Sequence, residues 1–151
     1  MHRNPDRPLS PHLTIWKWGP HMLVSILHRI TGVGLATLGA GLFTWWLVAA
    51  AMGSGAYGTF TAWLGWLTGT GFTLDKDAWA WVKYAFGAAV GIGLSWAFFQ
   101  HALSGLRHFV MDIGAGYELR RNKLGALATL LGAVLLTAGL WAWIVMGRIS
   151  A

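Results

Sequence analysis

An all-α integral membrane fold, a three-helix bundle behind an N-terminal arm, is predicted by three features of the sequence. Hydrophobic residues make up 56% of the chain, charged residues only 11%, and mean hydropathy is +0.53, a balance that leaves a water-soluble domain too little polar surface. Three stretches, 30–52, 84–106 and 124–146, are apolar over roughly the 20 residues that a helix needs to cross the hydrocarbon layer. None alternates polar and apolar residues with the period of two that a membrane β-barrel requires. At 151 residues the length suits one domain, divided here into an arm, 1–20, and a membrane domain, 21–151.

The arm carries Arg3, Arg7 and Lys17 together with Pro5, Pro8 and Pro11. Its prolines forbid a long helix, and it lacks the apolar core of a cleavable signal peptide. It reads as a folded or docking arm outside the bilayer. Pro20 is a natural first residue for a helix, and the first helix is expected from about His21 to Ala51. It opens with Ser25, His28, Arg29 and Gly32 at i, i+3, i+4 and i+7, a single helical face. Gly32, Ala36 and Ala40 then form a row of small residues of the kind that lets helices approach closely in lipid.

Residues 53–77 are rich in Gly and Thr, with Tyr57, Trp63 and Trp66. This stretch is too interrupted for a fourth span and is expected to form an interfacial loop or a short surface helix. Asp75, Lys76 and Asp77 are expected to cap the second helix, in which Gly87, Gly91 and Ser95 make another small-residue row. A short polar loop is expected over 111–123, with Asp112, Glu118, Arg120, Arg121 and Lys123, followed by a packing helix over 124–146 that contains no ionisable residue. Basic residues gather in the arm and in this second loop, so the positive-inside rule puts the N-terminus in the cytoplasm or its matrix equivalent and the C-terminus outside.

Composition also excludes some chemistry. With no cysteine, the chain carries no disulfide, iron–sulfur cluster or Cys-ligated haem. The net charge of +6 is spread over helix ends without an aromatic-lined polar platform, so it reads as basic flanks of membrane helices and not as a nucleic-acid surface.

The chemistry concentrates in 100–112, QHALSGLRHFVMD, where two histidines, an arginine and an aspartate close an apolar run. Seven residues along a helix return to within about 20° of the same face and advance about 10 Å. His101 and His108 therefore share a side at different depths, and one flat cofactor cannot take both as opposite axial ligands. His101, beside Phe98, Phe99, Ala102 and Leu103, is the deep one, and His108, after Arg107, the shallow one. Gly105 lies one turn beyond His101, where a missing side chain would let a planar ring approach the backbone. Ionisable groups in a bilayer usually face a bundle interior or a ligand. The start of the first helix and the end of the second approach the same leaflet, so Ser25, His28, Arg29, His101 and His108 are most economically explained by one shared site. From position alone two readings of His101 stay open: a hydrogen bond across helices, or an axial ligand to haem iron with cations near the propionates.

Three motifs carry a resemblance. RPLSPHLTIW at 7–16, SILHRITG at 25–32 and HALSGLRHFVMD at 101–112, in this order and with three spans, resemble the cytochrome b556 membrane-anchor subunits of succinate dehydrogenase (complex II). The resemblance covers most of the chain. Trp16 stands where the family usually has a tyrosine. The resemblance implies that His101 is the axial ligand of haem b, shared with a partner anchor that supplies the other ligand. It implies that His28 and Arg29 lie near the haem propionates, that Ser25 and Arg29 bind ubiquinone, and that His108 and Gly105 belong to the haem pocket. Asp112 matches an acidic residue near the quinone end, with a loose association to proton delivery.

The implied partners are a second membrane-anchor subunit, an iron–sulfur subunit and a flavoprotein subunit in a bacterial inner membrane or its mitochondrial equivalent. Association of such complexes into trimers stays open. The implied activity passes electrons from succinate through flavin and iron–sulfur clusters to ubiquinone, and the chain contributes to it only within the complex. Fumarate reductase, which runs similar anchors in reverse, stays open beside it. A cofactor-free proton-relay or transport subunit and a purely structural anchor are the rival readings.

Overall fold

The computed structural model describes Asp6 and residues 17–68 and 78–149. Every regular element among them is helical: α1 (Pro20–Gly34), a π-helical turn (Leu35–Gly39), α2 (Ala40–Ala51), α3 (Ser54–Thr68), α4 (Ala78–Asp112) and α5 (Leu119–Ile149). Three runs, Pro20–Ala51, Tyr84–Asp112 and Leu119–Gly147, are long and apolar enough to cross a membrane. This is a multi-pass membrane protein. The arm's first motif and the expected cap at Asp75, Lys76 and Asp77 lie outside the described residues.

Helix α1 begins at Pro20 as expected, because proline at N1 gives up only an N–H that would be unsatisfied anyway. The first span is one continuous rod interrupted by the π turn, which the sequence reading did not anticipate. An extra residue in that turn rotates everything beyond it, so an i, i+4 row started in α1 does not continue on the same face. The expected row of Gly32, Ala36 and Ala40 is accordingly broken: Gly32 packs beneath His101, while Ala36 and Ala40 are exposed. The row in α4 does form. Gly91 receives the indole of Trp141 from α5, and Trp141 Nε1 donates to Ser95 Oγ at 2.9 Å.

The segment after the first span contains a short helix. A tight turn at Gly53, with φ +95°, reverses the chain and sends α3 back along α2 and α4. Trp45 clamps the hairpin, with its ring 5.1 Å from Phe60 and 5.0 Å from Trp63. At 15 residues α3 falls short of the roughly 20 residues needed to span.

The second connection is tighter than expected. Helix α4 ends in a Schellman motif: Ala115 N–H donates to Val110 O at 3.2 Å, Gly114 N–H donates to Met111 O at 2.8 Å, and Gly114 takes φ +85°. Only residues 113–118 remain outside helices. Arg120, Arg121 and Lys123, expected in a loop, instead form the first turns of α5. Cations at a helix N-terminus oppose the helix dipole, and Arg121 is paired there with Glu118 at 3.2 Å.

Helices α1, α4 and α5 pack together and α1 and α4 meet at the histidines. The interior seam is made of small and polar groups, Val24, Thr31, Gln100, Ser104, Ala126, Thr129, Ala133 and Thr137. Large apolar side chains such as Ile30, Val33, Phe98, Phe109, Leu131 and Leu135 point outward, the inverse of a soluble core and the expected arrangement for helices that pack closely within lipid.

Candidate functional site

Helix α1 brings His28 and α4 brings His101 and His108 to the same end of the bundle. The rings of His28 and His101 stack in parallel, with centroids 4.0 Å apart and planes 3° apart. His28 also meets His108, 5.0 Å away and tilted by 35°. The deep and shallow histidines of α4 are thus both touched by one ring from the neighbouring helix. Only the first pair lies face against face, and the three rings do not form a metal-holding group among the described residues.

His101 is held by backbone. Its Nδ1 lies 3.1 Å from the carbonyl oxygen of His28 and 3.4 Å from Thr31 Oγ1. A carbonyl only accepts, so Nδ1 carries a proton and donates to it, and Nε2 is the ring nitrogen left for another partner. Thr31 is itself fixed, donating to Leu27 O at 2.7 Å. The close approach depends on Gly32: a Cβ there would lie 2.8 Å from His101 Cε1, closer than two carbons tolerate. His108 is fixed within its own helix, its Nδ1 donating to Ser104 O at 2.7 Å, which by the same reasoning leaves its Nε2 as the accepting nitrogen.

Gly105 lies under the histidines, but gently, since a Cβ there would approach His28 Cε1 only to 3.9 Å. The clearance expected of Gly105 is therefore demanded more strictly at Gly32. Ser25 is half-buried one turn before Arg29, whereas Arg29 and Asp112 are exposed. No hydrogen bond or ion pair among the described residues ties these three to the histidines. Arg107, at the same end, donates from Nη2 to Asn122 Oδ1 across the α4–α5 contact.

Sequence reasoning passed over Thr31, Gln100 and Ser104. All three are buried, and Gln100 and Ser104 have no exposed surface. The available signal was a polar residue inside an apolar run at helical spacing from a histidine, 104 to 108 and 28 to 31, with Gln100 one turn before Ser104. The Nδ1 of His28, both side-chain polar atoms of Gln100 and Ser104 Oγ are buried without a hydrogen-bond partner. Buried polar atoms are rarely left so in a native interior.

A family model described as "Succinate dehydrogenase/Fumarate reductase transmembrane subunit" matches residues 3–140. The chain belongs to this family. Relatives include the succinate dehydrogenase cytochrome b556 subunit of Paracoccus denitrificans, 34% identical over 87% of this chain and 86% of that protein, and that of Rickettsia conorii, 30% identical over 89% and 90%. The mitochondrial succinate dehydrogenase cytochrome b560 subunit of Mus musculus is 33% identical over 89% of this chain and 70% of its own length. This transmembrane subunit is thus similar, along most of its length, to bacterial and mitochondrial components of one oxidoreductase complex. The match spans both α1 and α4, the two helices that carry the histidines.

Proposed function

We propose that the chain is the membrane-anchor cytochrome b subunit of a succinate:quinone oxidoreductase, sharing haem b with a second anchor subunit and holding ubiquinone where electrons arrive from the iron–sulfur subunit. The observation that carries the reading is the tethering of His101. With Nδ1–H given to the His28 carbonyl, the ring is oriented and Nε2 is the nitrogen left to ligate iron. Donation of the second ring nitrogen to a carbonyl is the usual outer-shell support of a metal-bound histidine.

The residues present fit the group. His101 Nε2 would hold the haem iron from this chain, and His28, His108 and Arg29, at the same end of α1 and α4, would meet its propionates. Haem b, when bound, supplies a one-electron redox centre. Around it, Gly32 and Thr31 hold the His101 ring in place, and Gly105 keeps the backbone clear beneath His28. Ser25 and Arg29, one turn apart on α1, hydrogen-bond a quinone oxygen, and the guanidinium stabilises the charge that builds there on reduction. Two protons complete the quinol, and Asp112, exposed at the end of α4, stands where one can enter. The N-terminus and the α4–α5 connection lie on the side where the iron–sulfur and flavoprotein subunits dock, in keeping with the basic residues gathered there. The direction of electron flow follows from the quinone potential and the soluble subunits, and the chain contributes to catalysis only within the complex.

Reduced-minus-oxidised spectra of the purified complex test the assignment. His101→Leu is expected to abolish the low-spin b-type spectrum or convert it to high spin, while His108→Leu leaves a perturbed low-spin haem. The reverse pattern assigns the iron to His108. Absence of any haem band from the parent complex would instead favour a cofactor-free relay.

A further inference from the structure

The unpartnered polar atoms at the histidine end form a set of their own. Gln100 and Ser104 are one turn apart on α4 and each is fully buried within this single chain. Gln100 Oε1 and Nε2, Ser104 Oγ and His28 Nδ1 all lack a hydrogen-bond partner. An amide and a hydroxyl enclosed by their own chain are out of reach of lipid, of a neighbouring subunit and of a macrocycle approaching from outside. Their surroundings are helices whose backbone groups are already paired, and the other buried hydroxyls bond their own helices, Thr129 donating to Gly125 O at 2.9 Å and Thr137 to Ala133 O at 2.7 Å. Only a molecule small enough to be enclosed can serve them.

Water meets the requirement. A buried water typically makes about three hydrogen bonds to otherwise unsatisfied groups, and this set offers an amide that donates and accepts, a hydroxyl that does both, and an imidazole nitrogen. Removing all water would strand four polar atoms in a low-dielectric seam, a cost that native interiors avoid.

We propose that Gln100 and Ser104 of α4 hold ordered water enclosed between α1, α4 and α5, extending to Nδ1 of His28. This internal water site couples α1 to α4 at the level of the histidines. It requires neither haem nor quinone, so it stands or falls separately from the function proposed above.

The test is made on the intact complex. A high-resolution map is expected to show water density within hydrogen-bonding distance of the Gln100 amide and Ser104 Oγ. Gln100→Met and Ser104→Ala are each expected to lower the melting temperature, by about 2–4 °C or more on the scale of domains of this size, and to be non-additive together because they break one shared network. A direct Gln100–Ser104 contact with no water in the map overturns the proposal. So does a rise in melting temperature in either variant, the result expected of a dry seam relieved of an unsatisfied group. Should Gln100→Met fail to assemble, Ser104→Ala, which removes one oxygen, and the parent map decide the matter alone.

Discussion

The two ends of the helical bundle are built on opposite principles. Away from the histidines, aromatic groups fill the space: Trp45 packs on Phe60 and Trp63, and the Trp141 indole sits on Gly91 with its N–H given to Ser95. At the histidine end, His28 stacks on His101 and leans on His108, Gly32 makes room for the His101 ring, and four polar atoms remain buried without partners among the described residues. The contrast teaches that aromatic abundance is not itself a sign of a site. Trp141 is satisfied within the chain and reads as packing. The histidine end keeps buried polar atoms that its own residues do not pair, and packing alone does not explain it.

Substitutions can break or sharpen that contrast. The largest effect is expected at the polar end without touching the helix contacts: Arg29→Leu removes an exposed cation and should cut quinone reductase activity at least several-fold while succinate oxidation by a soluble dye persists. Ser25→Ala, losing one neutral hydrogen bond, should cost about 2- to 12-fold in the same assay. If both variants reduced quinone at the parental rate, the quinone would have to bind elsewhere.

Gly32→Ala should come next, because its Cβ would meet His101 at 2.8 Å. A lowered haem-to-protein ratio or a broadened haem spectrum is expected, measured against Gly34→Ala, whose Cβ meets nothing within 4 Å. Equal haem content in the two variants would show that His101 tolerates displacement. At the other end, Gly91→Ala drives a methyl to 2.9 Å from the Trp141 ring. Overpacking of this kind costs about 1–3 kcal/mol, so thermal stability should fall with the haem spectrum unchanged. A spectral change there would erase the distinction between the two ends. The smallest effect is expected for Gly105→Ala, since its nearest neighbour is His28 Cε1 at 3.9 Å. A near-parental haem spectrum should result, and a large loss would mean that the bound group lies closer to this backbone than the histidine does.

Much of the site was legible because ionisable residues are costly in a bilayer and so stand out against an apolar run. His28, His101 and His108 could be named from that contrast, and helical spacing put His101 and His108 on one side of α4. Thr31, Gln100 and Ser104 were not, since neutral polar residues are common in spans and usually bond their own helix, as Thr37 does with Val33 O. The expected loop over 111–123 shrank because local polarity hides a helix start: Arg120, Arg121 and Lys123 look like loop residues, but the Schellman turn at Gly114 had already ended α4 and freed the chain to begin α5 at Leu119.

By itself the sequence determined the three spans, the helical class, the polar end of the bundle and the family, because hydropathy, helical period and motif order are properties of neighbouring residues along the chain. Only the tertiary structure decided that the ring of His28 lies against both His101 and His108, that Gly32 is the glycine their approach cannot do without, and that the row beyond it is turned away by a π turn. These depend on how closely and at what rotation one helix meets another, and that is set by the fit of two surfaces distant in sequence.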